Sequence, residues 1–185
     1  MSKVQVSCIL CVGIAIAWLA VRGCSGSIQS VTILPTQSAS SLEISGWAPA
    51  IMHSPYSLES QPVVTIRIKN ISRRTVAIIN HPFTLYVDSV DSSGAEYAKF
   101  TDRLERDPNA LMPSDIVFLQ PDAVLEVSRQ IRPGPQVPRG KYGLIAVVHQ
   151  LLNKRQAVAD VLSQAHVQMF PETEVRTGIG WVELR

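Results

Sequence analysis

Between Val63 and Lys69 the chain reads VVTIRIK, with side chains that alternate in polarity. Val64, Ile66 and Ile68 fall on one side, and Thr65, Arg67 and Lys69 on the other. Successive side chains of a strand point to opposite faces, so this pattern specifies an antiparallel strand with one face on a core and one in water. Related signals recur along the chain. Val76 to Ile79 is an extended run that stops at Asn80-His81-Pro82, because the residue before proline avoids helical backbone. Phe83 to Val90, the turn Asp91-Ser92-Ser93-Gly94 and the return Ala95 to Phe100 read as a hairpin. Ile116 to Leu119, Val124 to Ile131, Tyr142 to His149 and Trp181 to Leu184 are further strands, and the third of these is the most apolar and so the most central. Ser41 to Ser45 alternates before Gly46 and is expected to pair at a sheet edge. Ile66, Leu85, Val127 and Ile145 are expected on the inward faces of four different strands.

The stretches between these runs are of a different kind. Thr101 to Ser114 is polar and holds Pro108 and Pro113, so it reads as a loop with at most one helical turn, at Asp102 to Arg106. Arg132 to Gly140 carries three prolines and must be an exposed connection. Leu151 to Gln164 has apolar residues at helix-like spacing, which predicts a short helix near 154–164. His166 to Phe170 reads as a strand alternative at the end of that segment. Seven or eight strands at roughly 8–12-residue spacing argue for an all-β fold, an immunoglobulin-like Greek-key β-sandwich of about seven strands. A closed barrel is the alternative.

The first two dozen residues stand apart. Lys3 precedes an uncharged apolar run, Val6 to Val21, which is followed by Arg22, Gly23, Cys24 and Ser-Gly-Ser. A positive start, an apolar centre and small residues at the end describe a secretory signal. The run is a little short of the roughly 20 residues that span a bilayer, and Arg22 at its end suits a retained anchor helix. Val21-Arg22-Gly23-Cys24 also resembles a lipobox, in which the cysteine becomes the lipidated first residue; Arg22 departs from that pattern. A lipid anchor on Cys24, a cleaved signal and an uncleaved helix thus remain open. All three place the rest of the chain outside the cytoplasmic membrane.

Cysteine use agrees. Cys8 and Cys11 lie in the apolar run, where a C-x-x-C pair has no redox or metal context. Cys24 is then the single cysteine of the exported chain, so no internal disulfide can support the fold. The expected organisation is residues 1–23 as signal or anchor, 24–40 as a Ser-rich tether leading into a first strand, and 41–185 as the sandwich.

With 46% hydrophobic and 17% charged residues in 185, the chain has material for one real core and is not a solvated disordered polymer. Of its 17 basic residues only Lys3 and Arg22 precede Cys24, and none of its 15 acidic residues does, so the exported part is electrically balanced. A neutral domain is a poor candidate for nucleic acid or an anionic membrane surface.

Three segments carry a family resemblance: VVTIRIKNISRRTV, FTLYVDSVDSSGAEY, and the pair FLQPDAVLEVSRQI and VPRGKYGLIAVV. Together, over about residues 60–150, they resemble immunoglobulin-like modules of exported bacterial proteins. They are also similar to the BsuPI-type proteinase-inhibitor family, a small β-sandwich. The resemblance implies a sandwich in which Gly140 frees the backbone at a strand start and Tyr142 pins a corner. Where the family has Pro-Gly-Glu, this chain has Pro121-Asp122-Ala123. No inhibitory motif is carried over.

Catalytic chemistry finds little to stand on. His53, His81, His149 and His166 form no H-x-x-x-H pair, and no second exported cysteine is available for zinc. Glu105 with Asp107, and Glu172 with Glu174, are carboxylates two apart in loops, where solvation is the ordinary state. There is no G-x-S-x-G and no glycine-rich phosphate loop. Asn70-Ile71-Ser72 satisfies the glycosylation sequon and also suits a turn, and Arg73-Arg74 beside it suits a solvated strand edge. No catalytic residue, metal or cofactor is therefore expected.

The expected role is a non-enzymatic one: a membrane-held, exported module that binds a protein partner in the cell envelope. A BsuPI-like inhibitor is the alternative, and an enzyme the third. The stiff loop Arg132 to Arg139 is the expected contact, through Arg132, Pro133, Pro135, Pro138 and Arg139.

Overall fold

The computed structural model describes residues 30–53, 62–82, 84–93, 111–131, 137–150 and 156–185. The N-terminal run with Cys24, the return Ala95 to Phe100, most of the loop Thr101 to Ser114, and Arg132 to Gln136 lie outside them. The fold is all-β with one helix. Its strands are β1 (Val31–Ser38), β2 (Leu42–Pro49), β3 (Ile51–Met52), β4 (Val63–Asn70), β5 (Val76–Ile79), β6 (Leu85–Val90), β7 (Ile116–Leu119), β8 (Val124–Gln130), β9 (Gly140–His149), β10 (Gln168–Met169), β11 (Glu174–Arg176) and β12 (Gly180–Leu184). Helix α1 (Gln156–Gln164) falls in the segment with helical spacing and buries Val158 and Leu162, one turn apart.

Three sheets form. The first has the order β1-β2-β4-β8, antiparallel throughout. The second is β10-β5-β7, and the third is β11-β9-β12-β3 with β6 also paired to β9. The alternation of VVTIRIK is realised in β4, where Val64, Ile66 and Ile68 are buried and Arg67 is exposed. Leu34, Ile44, Ile66, Val127, Ile78, Leu85, Leu144 and Val182 come from all three sheets into one core. β5, β6 and the middle of β9 are buried on both faces; β5 and the middle of β9 are continuous apolar runs for that reason, whereas β6 also buries Asp88 and Ser89.

Twelve strands among the described residues exceed the expected seven or eight: β3, β10 and β11 are only two or three residues long, and β1 falls in the segment expected as a tether. Half of the segment read as a tether is β1, an edge strand whose register shifts between Leu34 and Gln37, on either side of Pro35. β2 runs on past the expected Ser45, because Gly46 lets the Thr65 carbonyl approach to 2.6 Å of where a Cβ would stand. Ile66, Leu85 and Val127 face the main core. Ile145 does not: its neighbours Leu144 and Ala146 do, and Ile145 turns to a smaller cluster with Tyr86, Val90 and Val147 on the opposite face of the sheet.

Two junctions join the sheets. At one, β1 meets β12: the Thr32 hydroxyl donates to the Trp181 carbonyl at 2.8 Å, and Gly178 N–H donates to the Pro35 carbonyl at 2.8 Å. At the other, β8 of the first sheet faces β6 of the third, and a single long side chain crosses between them.

Candidate binding cleft at Arg129

In β8, Leu125, Val127 and Arg129 take alternate positions, so the strand pattern that buries Val127 also turns Arg129 inward. Arg129 Nε donates to the Leu85 carbonyl at 2.9 Å, and a terminal nitrogen donates to Asn80 Oδ1 at 2.6 Å. Those bonds tie β8 to the start of β6. No carboxylate among the described residues contacts the guanidinium, and burial lowers its pKa without threatening its charge.

A cavity of about 420 Å³ opens beside it, lined among the described residues by Val63, Pro82, Leu85, Tyr86, Val87, Ser128, Arg129, Gln130 and Ile131. Its walls are the edges of β6 and β8, and its floor is apolar. The arrangement offers an apolar slot, a cation with further N–H groups to give, and two strand edges. That suits a carboxylate carried on an extended apolar segment.

Arg129 was not among the residues singled out by sequence. The signal was present: in Leu125, Val127, Arg129, Ile131 a charge holds a position where the alternation calls for an apolar residue. Of the expected contact residues, Arg132, Pro133 and Pro135 lie outside the described residues. Pro138 and Arg139 are exposed, but the Pro138 carbonyl accepts the Tyr142 hydroxyl at 2.7 Å, which is the corner the resemblance implied. The loop starts directly after Ile131, so it is contiguous with the cleft.

The other motifs resolve into structure. Glu172 accepts from Ser40 N–H at 2.8 Å, from the Ser40 hydroxyl, and from the Ser41 hydroxyl at 2.9 Å. Burial pushes its carboxyl up, but those hydrogen bonds outweigh it and hold the group below the usual carboxylate range. Glu174 is paired with Arg176, while Glu105 and Asp107 lie outside the described residues. Among the described residues no cluster of His, Cys, Asp and Glu could hold a metal ion. Among them, too, no helix is long and apolar enough to cross a membrane. Cys24, Cys8 and Cys11 lie outside them.

Asn70 is fully buried. Its Nδ2 donates to the Arg74 and Leu119 carbonyls, each at 2.8 Å, and its Oδ1 accepts from Ser72 N–H and hydroxyl. The sequon amide is thus committed inside the fold. Asp122 takes φ 62° in a turn closed by Ala123 N–H on the Gln120 carbonyl at 3.0 Å. It holds the conformation that glycine would take in Pro-Gly-Glu.

No family model matches the chain, and no curated protein is significantly similar to it. Among solved structures, a β-glucosidase from Listeria innocua in complex with gluconolactone aligns with 86% of this chain and 16% of its own, at 15% identity and a TM-score of 0.35. A likeness that distant carries no argument about fold or activity.

Proposed function

We propose that this chain is an exported, membrane-held β-sandwich of the immunoglobulin-like Greek-key kind, and that it binds another protein of the cell envelope through the cleft at Arg129. The observation that carries the reading is a half-buried guanidinium with no carboxylate in contact among the described residues, set between two sheet edges. A partner's extended segment would add to an edge through main-chain hydrogen bonds, lay an apolar side chain against Pro82 in the cleft wall, and bring a carboxylate to Arg129. The Tyr142–Pro138 corner supports the immunoglobulin-like order. The loop from Arg132 to Arg139 would extend the contact beyond the cleft. The role is read as non-enzymatic, since the sequence offers no convergent nucleophile, base or metal set. Anchoring is assigned to the N-terminal run, through Cys24 acylation or a retained helix.

The test is affinity capture from membranes with wild type, Arg129→Gln and Arg129→Lys, each checked for an unchanged melting transition. Loss of a charge-assisted pair should weaken capture by roughly tenfold or more in Arg129→Gln. Undiminished capture by a folded Arg129→Gln would overturn the cleft as the binding site. A protease as the captured partner would favour the inhibitor reading.

A further inference from the structure

The outward face of the first sheet is divided along its strands. At one end stand Glu43 on β2, Arg67 and Lys69 on β4, and Glu126 on β8, with Arg67 and Glu126 3.8 Å apart. At the other end the outward positions are Val31 and Ile33 on β1, Trp47 and Pro49 on β2, Thr65 and Val63 on β4, and Ser128 and Gln130 on β8. None of these is charged. They are contiguous: Ile33 is the cross-strand partner of Trp47, Trp47 of Thr65, and Val31 of Pro49. Val31 is 60% exposed, Ile33 71%, Val63 40% and Trp47 38%, so four large apolar side chains share one uncharged, water-facing surface. Scattered exposed apolar residues need no explanation, but a contiguous set does.

The covalent chain says what lies opposite. It joins the sheet at Val31, at the uncharged end, and Val31 follows Cys24 by seven residues, a reach of at most about 25 Å at full extension. The apolar run Val6 to Val21 lies just before that. With that run held in a bilayer, the chain would enter the sheet at its uncharged end, within about 25 Å of the lipid, and the Arg67–Glu126 end would stand at the other end of the same strands. An uncharged apolar surface with a tryptophan suits the headgroup–acyl boundary of a bilayer, where indole rings concentrate.

We infer that the surface formed by Val31, Ile33, Trp47 and Val63 rests on the lipid surface of the membrane to which the chain is attached. The inference depends on the membrane attachment proposed above, and it adds an orientation: the uncharged end of the first sheet's outward face meets the lipid, and the Arg67–Glu126 end of that face is tilted away from it. Since the patch is neutral, the contact is set by apolar burial and is insensitive to salt, unlike a polybasic contact.

The probe is the full chain carrying Trp18→Phe and Trp181→Phe, which leaves Trp47 as the one tryptophan, reconstituted into phosphatidylcholine vesicles with acyl chains spin-labelled near the headgroup or near the chain end. Attachment is read separately by flotation of the vesicles. Trp47 emission should be quenched severalfold more by the shallow label than by the deep one, at low and high salt alike. Adding Val31→Ser and Ile33→Ser, both at exposed positions, should abolish most of that quenching while the melting transition stays in place. A chain that floats with Trp47 unquenched by either label would overturn the orientation alone. A chain that does not float would overturn the attachment and the orientation together. Shielding of Trp47 that needs no labelled lipid and disappears on dilution would assign the surface to a second copy of the chain instead.

Discussion

The Tyr142 hydroxyl donates to the Pro138 carbonyl four residues upstream, at 2.7 Å, and so fastens the proline-rich connection to the first turn of the longest strand. The ring is buried in the main core, so the bond fixes where β9 begins. Tyr142→Phe keeps the ring and removes the donor. It should cost about 0.5–1.5 kcal/mol in chemical denaturation. A neutral result would mean that the loop is held by other contacts.

Ile66 and Leu85 are fully buried in different sheets and meet in one core. Either one replaced by alanine should lose about 2–5 kcal/mol. Ile145→Ala acts on the smaller cluster with Tyr86, so its effect should add to that of Ile66→Ala without coupling. A double-mutant cycle with a large interaction term would contradict the separation of the two clusters.

Asn70 uses both ends of its amide, and no polar atom of it faces water. Asn70→Ala would strand the Leu119 carbonyl in the interior and cost about 1–3 kcal/mol or more. Expressed in a glycosylating host, the folded chain should carry no glycan at this sequon. A mass increase removed by Asn70→Gln would show that modification precedes folding.

Glu172 links the β1–β2 turn to the segment after β10. Its carboxyl sits below its unfolded value, so ionised Glu172 adds stability above the unfolded pKa, and that contribution is lost as the pH falls through the folded one. Melting followed from neutral to acid pH should show wild type losing more stability than Glu172→Gln across the carboxylate range. Parallel curves would remove Glu172 from the acid response.

How much of this could be read beforehand depended on length and on which face a residue took. β4 and β8 were legible because seven or eight residues are enough to display alternation. β3, with two residues, and β11, with three, are too short to have a period at all, and exist because β12 and β9 offer them partners. β1 was obscured by Pro35 and by polar residues that an edge strand tolerates. For β9, a run buried on both faces does not say which residue faces which core, and Ile145 was assigned to the wrong one for that reason. Arg129 was visible as an exception to the alternation but not as a cleft, because β6 and β8 face each other only in the folded chain.

The bond from Thr32 to Trp181 spans 149 residues. Closing a loop of that length is an entropic cost paid before most of the core rewards it, and such topologies fold slowly. β1 emerges among the first strands yet waits for β12 to fasten its second edge, so the sheets cannot be locked together until almost the whole chain is present. Until then the edge of β1 stays open to other strands. That late closure makes the interval before β12 docks the one in which the chain is most exposed to aggregation.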